Sequence, residues 1–166
     1  MKRRRQGAAL LEAVLLLPVM FLLFMGMIEL ARVSYTYYTL QKILTAFARY
    51  AGTRQAVNFC LDGDTTLNAA RAWAATGTND VSGTPLVPNL TPSRIQVAIE
   101  RVDPDTGDLT TCECSAAGCD ASQGGRGPDF VVVSITDGYA VRLALPFLST
   151  DPIILRPQVR LPYRGT

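Results

Sequence analysis

The sequence predicts an α+β protein in which one long N-terminal helix precedes a short helix and a small antiparallel β-sheet. Three observations carry this prediction. Residues 13–28 contain no charged side chain. Apolar residues then recur at helical spacing as far as residue 51, which indicates that the same helix continues with one apolar face. Beyond residue 94 apolar and polar residues alternate, the period of half-buried strands.

The N-terminal segment has the length and charge pattern of a membrane helix. Four basic residues precede Gly7, and the 21 residues from Ala8 to Ile28 would form a helix of roughly 30 Å, enough to cross the hydrocarbon core. Glu29 closes the apolar run. The basic residues predict a cytoplasmic N-terminus, with the rest of the chain on the outer side of the membrane.

Glu12 is the unusual residue of this segment. A carboxylate in an apolar membrane helix costs about 3 kcal/mol unless something pairs with it. Glu12 is also the fifth residue after Gly7. It is therefore either a functional carboxylate of a processed chain or a tolerated polar residue near the membrane surface of an ordinary single-pass anchor.

This arrangement is similar to the class III signals of type IV pilins, in which a basic leader ends in Gly and a Glu is fifth in the mature chain. A dedicated membrane peptidase cuts such chains after the Gly. Over about residues 4–35 the sequence more narrowly resembles the TadE-like minor pilins, or pseudopilins, of tight-adherence systems. The residues that carry the resemblance are Gly7-Ala8-Ala9-Leu10-Leu11-Glu12-Ala13, Pro18 and Glu29-Leu30-Ala31-Arg32. Ala13 departs from the pattern, since many relatives have an aromatic residue there.

The resemblance implies a division of the chain into three parts. Residues 1–7 would be a cleaved leader, residues 8–29 the transmembrane part of the helix, and residues 30–166 a periplasmic or extracellular domain. It also implies cleavage between Gly7 and Ala8 by a prepilin peptidase, an inner-membrane location, and a role in assembly of an adhesive pilus. The implied partners are other pilins and pseudopilins, an inner-membrane assembly platform and membrane lipid. We further expect Glu12 to pair with the new ammonium group at Ala8 of a neighbouring subunit.

An alternative from another class is an uncleaved single-pass membrane protein whose outer domain is an assembly or binding module. Secretory and twin-arginine signals fit less well, because the apolar run is long and offers no convincing small-x-small site. The N-terminus of the protein extracted from membranes separates the two interpretations, since only processing yields a chain that begins at Ala8.

The long helix is expected to run from about residue 8 to residue 50. Its outer half has an apolar face at Val33, Tyr37, Leu40, Leu44, Phe47 and Ala51. A short helix is predicted over residues 66–75, capped by Asp64 or Thr65 and ended by Gly77. A long loop follows, over residues 77–92.

The predicted sheet contains strands at residues 95–100, 109–114, 130–136 and 139–145, with an edge strand near residues 158–161. Residues 103–108 form an Asp- and Gly-rich turn. Residues 118–128 form a glycine-rich loop. Asp137-Gly138 predicts a hairpin between the strands on either side of it. Pro146 is expected to end the second of these strands.

Composition argues against an enzyme and against nucleic-acid binding. The chain has no His, and removing the four basic residues of the leader from its 16 leaves 12 basic against 14 acidic side chains. No basic stripe, catalytic constellation or phosphate-binding loop is present, and we expect no cofactor and no metal. The aspartates of residues 103–108 lack the spacing of a calcium loop, and Cys112-Glu113-Cys114 lacks that of a zinc knuckle.

Four cysteines, all beyond the apolar segment, predict two disulfides in an oxidising compartment. Cys112 and Cys114 would share a face of a strand and cannot readily bond to each other. We favour Cys60–Cys112 with Cys114–Cys119, because a short link joins the latter pair. The exchanged pairing, Cys60–Cys114 with Cys112–Cys119, stays open. Both connect the end of the long helix to the sheet.

Overall fold

The computed structural model describes residues 2–54, 57–61, 63–144 and 150–165, with side chains from residue 11 onward. The chain divides into two compact units. The first contains Met1–Thr36 and Val141–Ile153, and the second contains Tyr37–Ala140 and Ile154–Thr166. The predicted turn residue Asp62 and the predicted strand end at Leu145 and Pro146 lie outside the described residues.

Helix α1 is a single element over Lys2–Thr53. Its sequence contains Pro18, whose missing N–H leaves the carbonyl four residues earlier without its helical partner. No Gly or Pro lies between Gly26 and Gly52, so the helical hydrogen bonds continue without interruption through this part of α1. The prediction of one long helix is confirmed, and the helix begins earlier than expected.

Helix α2, Thr65–Thr76, is capped at both ends as the sequence predicts. The carboxylate of Asp64 accepts hydrogen bonds from the backbone N–H groups of Thr66 and Leu67, each at 2.9 Å. Gly77 takes the left-handed conformation, φ 75°, and its N–H donates to the carbonyl of Trp73. Both ends of α2 are thereby satisfied by local residues.

The described residues after α2 contain six strands, two of them in a small separate sheet. In chain order they are β1 (Ile95–Val102), β2 (Leu109–Thr111), β3 (Phe130–Ile135), β4 (Tyr139–Val141), β5 (Ile153–Leu155) and β6 (Gln158–Pro162). The main sheet is antiparallel, in the order β2-β1-β3-β6, and β4 pairs with β5 alone. The α+β fold class and the edge position of β6 are confirmed.

The core of the second unit joins the outer half of α1 to one face of the main sheet. The residues with at most 1% of their surface exposed include Leu40, Leu44, Phe47, Leu90, Ile95, Val131 and Val133. Ile95 and Ile99 are buried on β1, whereas Gln96 and Ala98 are exposed. The predicted alternation of buried and exposed residues in β1 is confirmed. The predicted apolar face of α1 is confirmed from Leu40 onward.

The β1–β2 connection is the predicted tight turn. The N–H of Asp103 donates to the carbonyl of Asp108, and its side chain accepts from the N–H of Asp105, each at 2.8 Å. Gly107 has φ 75°. The strand after the turn is shorter than expected, because β2 ends at Thr111 rather than at Cys114.

The hairpin predicted at Asp137-Gly138 is wrong, although the turn itself forms. Both residues are left-handed, with φ 59° and 74°, as this dipeptide favours. The chain nevertheless leaves the main sheet there. β3 pairs with β1 and β6, and β4 pairs with β5. β4 is also shorter than the strand predicted over residues 139–145. A local turn signal does not identify the strand that will occupy the neighbouring edge.

We predict that Gly138→Ala destabilises the fold by more than Gly107→Ala. Both glycines have φ near 75°, which costs an alanine about 1–2 kcal/mol. A Cβ at Gly138 would also lie 2.6 Å from Cγ2 of Ile154 and 2.7 Å from the carbonyl oxygen of Leu155, whereas nothing lies within 4 Å at Gly107. Urea denaturation of the detergent-solubilised chain, followed by circular dichroism, measures both losses. Equal losses would show that the approach of β5 to this turn is not close in solution.

Candidate membrane and assembly helix

The first half of α1 carries apolar side chains that the rest of the chain does not cover. Between Leu11 and Leu30 the exposed fractions of the large apolar residues run from 49% for Met20 to 74% for Leu15, except that Met25 is only partly exposed. An 18-residue window here has a mean hydropathy of 2.4. Among the described residues α1 is the one helix long and apolar enough to cross a membrane. A helix that is apolar on all sides has the surface of a membrane span.

Glu12 lies within this apolar surface and is itself exposed. In the described part of the chain no side chain forms a hydrogen bond or ion pair with its carboxylate. Gly7 and Ala8 belong to the same helix, but their side-chain positions lie outside the described residues. The structure therefore places Glu12 four residues along a continuous helix from Ala8, one turn away.

The outer end of the apolar stretch carries a second carboxylate in a different environment. Glu29 is 8% exposed, and its Oε2 lies 2.9 Å from Nη2 of Arg32. The Arg32 guanidinium also donates to the backbone carbonyl of Arg142, which belongs to the same compact unit. Unlike Glu12, Glu29 is thus shielded and paired within its own chain.

From the sequence, Glu29 marked the end of the apolar run and formed part of the family resemblance, but its ion pair was not predicted. The i,i+3 spacing of Glu29 and Arg32 could have predicted their ion pair. The contact with Arg142 is separated by 110 positions, and nothing in the local sequence indicates it.

Tyr35, Tyr37 and Tyr38 follow the apolar stretch, and their exposed fractions are 72%, 40% and 62%. Tyr38 also lies beneath the ammonium of Lys42, 5.9 Å from Nζ to the ring centroid. Exposed tyrosines next to a lipid-length apolar segment are typical of the membrane–water interface.

The cysteines form two disulfides, Cys60–Cys114 and Cys112–Cys119. The favoured pairing is therefore wrong and the alternative is the one that forms. The reason is that β2 ends before Cys112, and the N–H of Cys119 then donates to the carbonyl of Glu113, at 2.8 Å. This turn returns Cys119 to the side of Cys112, with 5.7 Å between their Cα atoms. The expected link between Cys60 and the cysteine cluster is present.

Comparison with known proteins bears on the helix. Residues 7–49 match the family model described as TadE-like protein. No curated protein and no solved structure matches the chain. The match covers Gly7, Glu12, the apolar stretch and the outer half of α1, so it confirms the resemblance that these residues carry. The match is limited to this N-terminal segment, which is similar to the corresponding segment of TadE-like proteins.

We predict that the two disulfides contribute unequally to stability. Cys60–Cys114 spans 54 positions and Cys112–Cys119 spans 7. The chain-entropy model gives about 4 kcal/mol for the first and about 2 kcal/mol for the second. Urea denaturation of the Cys60→Ala/Cys114→Ala chain should therefore show a larger loss than the Cys112→Ala/Cys119→Ala chain.

Non-reducing peptide mapping of the unaltered protein checks the pairing itself. It should recover Cys60 bonded to Cys114. A peptide that joins Cys60 to Cys112 would contradict the structure and restore the pairing first favoured.

Proposed function

We propose that this chain is a minor pilin or pseudopilin that takes part in assembly of a tight-adherence pilus. The observation that carries the proposal is the TadE-like segment itself. It combines an exposed apolar stretch with a carboxylate, at the fifth position after Gly7, that has no partner among the described side chains. The proposed role is structural rather than catalytic.

In this proposal residues 1–7 are a leader that a prepilin peptidase removes in the cytoplasm. Residues 8–29 then cross the inner membrane, and residues 30–166 fold in the periplasm. The formation of two disulfides supports an oxidising compartment for the second unit. The exposed tyrosines that follow the apolar stretch support a membrane–water interface at that end of the segment.

Assembly proceeds by packing apolar helices of neighbouring subunits against one another. Lipid and another apolar helix are almost equivalent partners for side chains such as Leu15 and Leu22, so the apolar contacts provide little selectivity. Glu12 supplies it. The carboxylate pairs with the new α-ammonium of Ala8 on a neighbour, because two opposite charges in a medium with few polar groups are satisfied only together. The other partners are an inner-membrane assembly platform and lipid.

The rival is an uncleaved single-pass inner-membrane protein with a periplasmic assembly or binding module. It accounts equally well for the exposed apolar stretch. It gives no role to the spacing between Gly7 and Glu12, which is why we prefer the processed subunit.

The first prediction of this proposal is cleavage between Gly7 and Ala8. Gly7→Val should block it, since a branched side chain hinders entry of the backbone into a peptidase site. Gly26→Val is the matched control. It lies in the same helix with nothing within 4 Å of its added Cβ, and it should be processed normally. Intact mass spectrometry of membrane-extracted protein, in cells with an active prepilin peptidase, distinguishes the two masses. Unaltered protein that retains residues 1–7 there would support the uncleaved rival.

The second prediction concerns Glu12 in the processed chain. Glu12→Ala removes an unpaired charge from the apolar stretch, so membrane insertion should be unchanged or improved. Incorporation into assembled pili should fall about tenfold or more, since a lost ion pair in a medium of low polarity is worth at least 1.4 kcal/mol. Glu12→Asp keeps the carboxylate and should retain part of the function. Immunoblots of sheared pili and of membranes measure both pools, and normal incorporation of the Glu12→Ala chain would refute the proposed pairing.

A further inference from the structure

The main sheet has an open edge halfway along β1. β1 spans eight residues, but β2 pairs only with its last three. The carbonyl of Ile99 accepts from the N–H of Cys112, at 2.9 Å, so Ile99 faces β2. Successive residues of an antiparallel strand direct their backbone N–H and C=O groups to opposite sides, so those of Val97 point to the β2 side, as those of Ile99 do. No backbone hydrogen bond of the described residues reaches Val97 there.

The early end of β2 leaves this edge open. In the β1–β2 register the residue opposite Val97 would be Cys114. β2 ends at Thr111, however, and Cys114 is bonded to Cys60. The position next to Val97 is therefore not filled by β2.

A groove of about 880 Å³ includes this part of β1 and extends across it to Ser134 of β3, the residue that pairs with Gln96. Its other lining residues are 95–98 of β1, Asn68 and Arg71 of α2, the exposed Val81, Pro92 and Ser93. The Arg71 Nη1 donates to Oδ1 of Asn68, at 3.1 Å. The Arg71 guanidinium forms no ion pair with a described residue, so this groove-lining cation favours a carboxylate.

The chain carries a second open edge with the complementary properties. Among the described strands, β4 is the one that pairs with β5. Ile153 and Ile154 are 42% and 45% exposed, and as successive strand residues they point to opposite faces. Asp151 precedes them, is exposed, and forms no ion pair or hydrogen bond within the described chain. An edge strand that is apolar on both faces is a template for pairing with another chain.

We propose that β5 of one copy enters the groove of a second copy and pairs with the open edge at Val97. Its backbone supplies the missing ladder, and the carboxylate of Asp151 reaches the Arg71 guanidinium. Pro152, which lacks an N–H, sits at the start of the strand, where proline is tolerated. Such strand addition is a common mode of recognition between chains. Because the two surfaces differ, the contact is head-to-tail. A linear series of copies would therefore have a free groove at one end and a free β5 at the other.

The pairing is tested with a photo-crosslinking amino acid at Gln96, which is exposed beside the open edge. Two differently tagged copies of the full chain are mixed in detergent and irradiated. We expect a covalent dimer whose cross-linked peptide contains residues 150–155 of the other copy. The same probe at Leu61, exposed outside the groove, should give no such dimer. Cross-links from Gln96 to another segment, to another protein, or to nothing would overturn the proposal.

A charge exchange tests the pair of Arg71 and Asp151. Arg71→Glu and Asp151→Arg should each lower the dimer yield about fivefold or more when alone, because each places like charges together. A mixture of the two variants should restore it. Arg49→Glu, which changes an exposed arginine outside the groove, is the matched control and should leave the yield unchanged. Failure of the mixture to recover would overturn the assigned contact. Neither experiment requires cleavage after Gly7, so its outcome is independent of the proposed processing.

Discussion

The constraint on which this molecule depends is the exposed apolar surface of α1 between Leu11 and Leu30. In water, burial of an average large side chain is worth about 1.5–3 kcal/mol, and more than a dozen such side chains lie open here. No described residue of the chain covers them. An apolar surface of this length is that of a helix able to cross a membrane, and in the proposed assembly lipid and other apolar helices cover it.

The same helix meets a different demand in its second half. From Leu40 to Ala51 its apolar residues form one face, and that face is buried in the core of the second unit. The change from an all-round apolar surface to a single buried face occurs without a break in the helix. Exposed tyrosines and the pair of Glu29 and Arg32 stand between the two regions. The transition is thus encoded by side-chain polarity alone, with no change in backbone conformation.

Local signals in the sequence predicted local structure well. Asp64 and Gly77 identified the ends of α2 because a cap is formed by neighbouring residues. The alternation from Ile95 identified β1 and its buried face. Asp137-Gly138 predicted its own turn correctly but not the partner of β4, since strand order depends on distant segments. The cysteine pairing failed for a similar reason. The favoured pairing assumed that the strand continues to Cys114, whereas β2 ends at Thr111.

The features of the candidate site also divide into those that local sequence predicts and those that depend on distant residues. Gly7, Glu12 and the apolar run are adjacent in sequence, so spacing alone was sufficient to single them out. The shielding of Glu29 depends on the Arg32 contact with Arg142, which no local pattern reveals. The open edge at Val97 also depends on a distant feature, the end of β2 at Thr111.

The two carboxylates of α1 show how one helix can be stable in lipid and still be selective among partners. Glu29 is neutralised within its own chain, so it places no demand on a neighbour. Glu12 has no partner among the described side chains, and its cost of about 3 kcal/mol is small against the favourable transfer of the surrounding apolar residues into lipid. The chain can therefore remain inserted while it retains one unsatisfied charge. In the proposed assembly that charge discriminates between lipid and a processed subunit, because only the latter presents an ammonium at the same depth. In this proposal the apolar surface keeps the chain in the membrane, and Glu12 selects the subunit with which it associates.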